Sequence, residues 1–281
     1  MKRMVECVPN ISEGHDKKKI KEIVSVVERE GVKLLDVNSD AEHNRSVITF
    51  AGEPEAVLGV SFDLIKKASE LIDMSVHKGE HPRMGAVDVC PFIPVAGVDM
   101  DDCVDLAHRL GKMLGEAGIP GYFYGYAAKK QERKILSSIR KGEYESLSEK
   151  LKKPEWKPDF GPTEFNSKFG AVAVGVRDFL IAYNVNLKSD DLKLANDIAR
   201  IIRNSGDTRV LGAFKTVQAT GVDTRDKGYI QVSMNLTDYK VDSMEVVFET
   251  IKRIAKLCDI EIHSTEVVGL TPKDIEKALE I

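Results

Sequence analysis

The 281-residue chain is poor in cysteine, with four, and in aromatic residues, at 6% with a single tryptophan. Cys7, Cys90, Cys103 and Cys258 lie far apart and form no C-x-x-C pair. That spacing excludes a zinc-ribbon or thioredoxin-type motif and predicts reduced, mostly buried thiols in a cytosolic protein. No apolar run approaches the roughly 20 residues that a bilayer span needs. The opening "MKRMVECVPN" lacks the apolar region of a secretory leader. A soluble, cytoplasmic protein is therefore expected, with no membrane partner. Charge of one sign is also scarce: the net value is -4, which implies no broad nucleic-acid patch. What is present is a globular composition, 42% hydrophobic and 31% charged, able to bury a core without staples.

The hydrophobic spacing gives an order of elements. "RMVECVPN" reads as a strand, and "DKKKIKEIVSVVERE" as a helix with Ile20, Ile23, Val24 and Val27 on one face. "VKLLDVNSDAEHNRSVITFAG" reads as two strands around a polar turn. "EPEAVLGVSFDLIKKASELID" is a helix begun by Pro54, and "AVDVCPFIPV" a buried strand. A helix over 100–118 and an aromatic strand, "IPGYFYGYA", follow; the aromatics are read as core or subunit interface rather than a ligand platform. Residues 129–160 read as a charged surface connector. The β-α-β-β-α-β order then returns from "FLIAYNVNL", with a helix capped by Ser189 or Asp190 and ended by Gly206. A last helix starts at Thr271–Pro272 with Asp274 as capping partner. The expected class is α/β (α+β): two ferredoxin-like βαββαβ subdomains with mainly antiparallel sheets, 1–178 and 179–281, and a ligand cleft between them. The repeat is one of element order and not of residues.

"HKGEHPRMGAVDVCPFIPV", residues 77–95, opens with H-x-x-E-H, an inverted zinc-protease spacing. A zincin site needs both histidines one helical turn apart. Gly79 lies between them, and Pro82 pushes His81 out of the α region and cannot donate a helical hydrogen bond. The stretch is therefore a loop, and no metal is expected. It carries two imidazoles, a carboxylate and a guanidinium between a helix and a buried strand. Such loops hold catalytic groups or serve as capped surface turns. An imidazole of pKa about 6.5 can take and return a proton in one cycle.

Taken together, "VECVPNISEG", "DAEHNRSVITFAG", "HKGEHPRMGAVDVCPFIPV", "WKPDFGP" and "FLIAYNVNL" resemble the formiminotransferase family along nearly the whole chain. The resemblance implies two α/β subdomains of similar topology with folate between them. It implies transfer of a formimino group from N-formimino-L-glutamate to N5 of tetrahydrofolate, in histidine breakdown, by a homodimer. It assigns the catalytic histidine to His81. It places folate along Gly161, Pro162, Thr163, Glu164, Phe165, Asn166, Ser167, Lys168, Phe169 and Gly170. The chain ends at residue 281, so no cyclodeaminase domain is expected to follow.

The chemistry suggests roles for further residues. Asp36 is a candidate to set the His81 tautomer, or a strand-end cap. Arg45 and Arg83 are candidate carboxylate clamps, or surface charges. Asn10 and Asn44 offer donor and acceptor to an amidine or pterin edge, or serve their turns. Phe165 and Phe169 suit stacking on a flat ring, and Lys168 suits a glutamate tail. His77 is read as structural. Asn184 and Asn186 are assigned to opposite strand faces, so that at most one of them faces a ligand cleft. A formylglutamate donor, or folate binding without turnover, stands as the alternative.

Overall fold

A computed structural model of the chain describes residues 2–41, 43–79, 82–204 and 212–280. The chain divides into two units, Met1–Arg177 with Ile275–Ile281, and Asp178–Asp274.

In the first unit β1 (Met4–Cys7) and β2 (Asn10–Ile11) lie end to end, followed by α1 (Lys17–Val24), β3 (Val32–Asp40), β4 (Arg45–Gly52), α2 (Pro54–Leu71) and β5 (Val87–Ala96). Both β1 and β2 pair antiparallel with β4 on one side and β5 on the other, and β3 flanks β4. The expected βαββαβ unit is present. It is extended by α3 (Met100–Glu116), β6 (Gly121–Gly125), α4 (Leu136–Arg140), α5 (Leu147–Leu151) and β7 (Val172–Val176), with β7 parallel to β5 and to β6. Local sequence explains the helix starts. Asp16 accepts from the backbone N–H of Lys18 and Lys19, Pro54 opens α2, and Asp99 and Asp102 form a reciprocal capping box on α3.

Strand alternation divides the first sheet chemically. Val5, Cys7, Ile11, Ile48, Phe50, Val87, Cys90 and Phe92 pack with Ile23, Leu64, Ile65 and Leu110 of the helices. On the other face, at the β5–β7–β6 end, Val89, Tyr122, Tyr124 and Ala173 pack with Ile139, Leu147 and Leu151. Residues 129–160 are thus a packing layer, which corrects their reading as a surface connector. Their charges misled the reading. Arg133 is fully buried, paired with Asp159 at 2.6 Å, donating to the carbonyls of Glu155 and Lys157, and stacked on Tyr122. The "GYFYG" aromatics are core, as expected.

The second unit runs β8 (Ile181–Leu187), α6 (Leu192–Ile202), β9 (Val217–Val222), β10 (Ile230–Leu236), α7 (Met244–Leu257) and β11 (Ile262–Val268). Its antiparallel sheet has the order β11–β8–β10–β9, and Ile198, Ile202, Val247 and Ile251 cover one face. Asp191, rather than Ser189 or Asp190, caps α6, because its carboxylate reaches the N–H groups of Lys193 and Leu194. Gly206 lies outside the described residues. The final helix, α8 (Pro272–Leu279), has the expected Thr271–Asp274 exchange at its start, and Lys33 of β3 donates to its Ala278 carbonyl at 2.7 Å. Among the described residues no helix is long and apolar enough to cross a membrane.

Candidate active site

Where the two stretches singled out for chemistry, 77–85 and 161–170, end, Met84–Ala86 meet Phe169–Ala171 in the first unit, and Met74 meets Lys168. Met74 N–H donates to Lys168 O at 2.9 Å, Ala86 N–H to Phe169 O at 2.8 Å, and Ala171 N–H to Met84 O at 3.1 Å. This contact demands glycine at 170. Gly170 has φ +78°, and a Cβ there would lie 2.1 Å from Met84 O. Asn166 turns the chain by accepting from the N–H groups of Lys168 and Phe169, so its side chain is used internally. Phe169 is 2% exposed and belongs to the helix-side core. Phe165, at 36% exposure, sits 5.6 Å from the ring of Tyr144, whose hydroxyl donates to Ser167 O at 2.6 Å. Thr163, Glu164, Ser167 and Lys168 are exposed, and Pro162 is half-buried.

A second network orders the start of the 77–85 loop. Asn44 has φ +46°, accepts from Gly14 N–H at 2.9 Å and donates to Lys78 O at 2.7 Å. His77 Nε2 lies 3.1 Å from Asn44 O, and Arg83 Nε donates to His77 Nδ1 at 3.3 Å. The second bond makes Nδ1 an acceptor, so Nε2 carries the proton and His77 is neutral. Burial first, and the Arg83 charge, lower its pKa in the same sense. His77 is therefore a structural imidazole, as expected. Gly79 is required by the close approach of His43 and Asn44, since a Cβ would meet His43 O at 2.5 Å.

Arg83 is 6% exposed and already holds carboxylates of its own chain. It bonds Glu145 at 2.6 and 2.9 Å and Glu143 at 3.0 Å. Those bonds hold the Glu145 carboxyl below its ordinary range. An open depression of about 500 Å³ is lined here by Lys78, Gly79, Arg83, Gly142, Glu143 and Glu145. His81, to which the resemblance assigns the chemistry, lies outside the described residues together with Glu80.

The remaining candidates lie on the sheet's second face. Asp36 pairs with Thr49 at a register shift on the edge strand β3. Asn10 pairs with Val47 and Val89, and its Oδ1 is buried with no partner among the described residues. Arg45, half-buried, has an unpartnered buried Nε. Its guanidinium is destabilised first by burial, then by Arg140, and steadied by Asp40 and Asp88. Asp88 is buried, accepts from Met84 N–H at 3.1 Å and is ion-paired with Arg140; burial pushes its carboxyl up.

Sequence reading missed Glu6, which belongs to this face. It is 3% exposed and paired with Ala51 and Ile93. Burial pushes its pKa up to about 7, opposed by Arg177. The available signal was the strand "MVEC" itself, in which an acid sits between two core residues. In the second unit, Asn184 and Asn186 are both buried and share one face, since residues two apart on a strand point the same way. This corrects their assignment to opposite faces. They bond Glu266 at 3.4 Å and Ser264 at 3.0 Å, and Asn186 accepts from Gln231 at 2.9 Å. Among the described residues no three His, Cys, Asp or Glu side chains cluster as metal ligands.

The fold and these loops define an α/β protein of two βαββαβ units, with its candidate groups concentrated on the extended first unit. Residues 4–177 match the model of the formiminotransferase domain's N-terminal subdomain, and residues 182–278 that of the formiminotransferase domain. The chain belongs to the formiminotransferase family. It is 42% identical to the glutamate formimidoyltransferase of Streptococcus pyogenes serotype M1, across 97% of this chain and 90% of that protein. Identity is again 42% with the glutamate formimidoyltransferase of Thermoplasma acidophilum, across 96% of this chain and 88% of the other. It is 46% identical to the formimidoyltransferase-cyclodeaminase of Gallus gallus over 97% of its length, and spans about half, 51%, of that protein.

Proposed function

We propose that the chain is a glutamate formimidoyltransferase. It moves the formimino group of N-formimino-L-glutamate to N5 of tetrahydrofolate, giving L-glutamate and 5-formiminotetrahydrofolate, as a step of histidine degradation. The observation that carries this reading is the contact of Met84–Ala86 with Phe169–Ala171, with an open depression lined by Lys78, Gly79 and Arg83. The relatives of nearly full coverage that bear this activity in their names support it.

N5 attacks the amidine carbon and forms a C–N bond. The tetrahedral intermediate then breaks its bond to the glutamate nitrogen. N5 loses one proton and the leaving nitrogen gains one. We assign both transfers to His81, as base and then acid, with Asp36 setting its tautomer. No metal enters this scheme. The exposed part of the 161–170 segment, with Thr163, Glu164, Phe165, Ser167 and Lys168, is assigned to tetrahydrofolate. Gly161, Pro162, Asn166, Phe169 and Gly170 shape its backbone. Asn10, Asn44, Arg45 and Arg83 complete the proposed binding set, Arg83 exchanging Glu145 for a substrate carboxylate. The working form is a cytoplasmic homodimer, which analytical ultracentrifugation showing monomers alone would refute.

The test is single-turnover transfer from N-formimino-L-glutamate to tetrahydrofolate, with N-formyl-L-glutamate in parallel and His81→Ala beside the wild type. Prompt formimino transfer, lost by at least about 100-fold in the variant, is expected for an acid–base histidine. Transfer from the formyl donor alone overturns the substrate. Folate binding with transfer from neither donor leaves a binding protein.

A further inference from the structure

Buried polar atoms in folded proteins nearly always have a partner, and one that does not calls for an explanation. Three such atoms meet on the second face of the first sheet: Asn10 Oδ1, Arg45 Nε and Arg140 Nε. Asn10 pairs with Val47 and Val89, and Val89 packs into the layer on that face. Arg45 opens β4 two residues before Val47, so it shares the face of Asn10. Asp88 adjoins Val89 at a shift in register and is ion-paired with Arg140, the last residue of α4. Charge is unbalanced here. Both arginines act on the Asp88 carboxylate, which gives one oxygen to Arg140 and the other to Met84 N–H. Asp40, the other acid acting on Arg45, already accepts from His43 N–H at 2.9 Å. Among the described residues no ion pair engages the Arg45 guanidinium. Arg45 is half-buried and the Arg140 side chain is 19% exposed, so both reach solvent. Two guanidiniums with spare N–H donors, beside a lone carbonyl acceptor, are complementary to a carboxylate next to an N–H. That is the pattern of an N-substituted amino acid.

We propose that Arg45 and Arg140 together bind the α-carboxylate of the one-carbon donor, with Asn10 Oδ1 accepting the N–H of its substituted nitrogen. This deepens the transfer reading above and rests on it. Both substrates contain an N-substituted glutamate. The donor is favoured because Asp88, which holds Arg140, also accepts Met84 N–H at 3.1 Å, at the end of the loop that carries His81. In the donor, one carbon separates the α-carboxylate from the nitrogen that leaves. Anchoring the carboxylate at the arginine pair therefore holds that nitrogen close to the loop from which it must gain its proton. A guanidinium fork fixes the orientation of a carboxylate as well as its charge. Arg140 thereby joins the binding set, and Asp88 keeps it in place.

The experiment titrates N-formimino-L-glutamate and 4-(formimidoylamino)butyrate, the same donor without its α-carboxylate, into wild type, Arg45→Gln and Arg140→Lys by calorimetry. Single-turnover transfer from each donor and titration of tetrahydrofolate are run beside them, and Tm checks folding. Arg45→Gln removes no ion pair and Arg140→Lys keeps a cation for Asp88, so both variants should fold. Wild type should prefer the full donor by at least about 30-fold, and each variant should lose about 10-fold of that preference. Affinity for the truncated donor and for tetrahydrofolate should stay within about twofold. Asn10→Ala should weaken both donors alike, since both keep the N–H. A preference unchanged in either variant overturns the proposal. So does a loss confined to tetrahydrofolate, which would give the arginine pair to the glutamate of the folate. Wild type that binds the donors without transfer refutes the transfer reading, and the preference still decides the role of the arginines. Wild type that binds neither donor refutes both.

Discussion

Replacing Glu6 by Gln should make the protein more stable in a way that depends on pH. Burial raises the Glu6 carboxyl from the ordinary 4.5 to about 7. The folded chain therefore binds more protons than the unfolded chain between those two values, and stability falls as pH rises through that window. Below about pH 4.5 the acid is neutral in both states and costs nothing extra. Above about pH 7 the full penalty of a buried carboxylate applies. At about 1.36 kcal/mol per unit that penalty is roughly 3 kcal/mol. Gln is neutral throughout and keeps the shape. Glu6→Gln should match the wild type near pH 4.5 and exceed it by up to about 3 kcal/mol at pH 8. Urea unfolding across this range, followed by the fluorescence of Trp156, the chain's one tryptophan and a member of the first unit, measures the difference. Other titrating groups cancel between the two proteins. A gap that is constant with pH, or a variant weaker than wild type at pH 8, would refute the reasoning.

Ile139→Ala should destabilise the first unit by about 2–5 kcal/mol in the same assay, because Ile139 is fully buried in the second-face layer; a loss under about 0.5 kcal/mol would restore the surface-connector reading. Gly170→Ala places a methyl against Met84 O at a positive φ, so a loss of at least about 2 kcal/mol and weakened folate binding are expected, read by Tm and by titration. Asn44→Ala removes the bonds to Gly14 and Lys78 and should cost about 1–3 kcal/mol. It should also lower turnover more than tetrahydrofolate affinity, since it loosens the loop that carries His81. Unaltered kinetics would separate that turn from the site.

Much of the architecture was legible because it follows from local rules. The apolar spacing of α1 and α2, Pro54 at the start of α2, and the Thr271–Asp274 cap can all be read without neighbours. So could the non-helical backbone at Gly79 and Pro82, residues that local rules disfavour inside a helix. The cap on α6 was misplaced by one or two residues because Ser189, Asp190 and Asp191 are chemically near-equivalent, and only backbone geometry chooses among them. Residues 129–160 were misjudged for a different reason: their charge is real, but Arg133 and Lys150 are buried by pairing and by carbonyls that sequence does not display.

The order of elements, the two βαββαβ units and the family could be read from the chain alone, because periodicity, turn residues and motifs act over a few residues. Only the tertiary structure decided what those residues do to one another. It turned Phe169 into the core, gave Arg83 to Glu143 and Glu145, and fixed His77 as a neutral strut. It also gathered Glu6, Asn10 and Asp36 on one sheet face. Burial and pairing are set by contacts between segments tens of residues apart, and no local pattern records them.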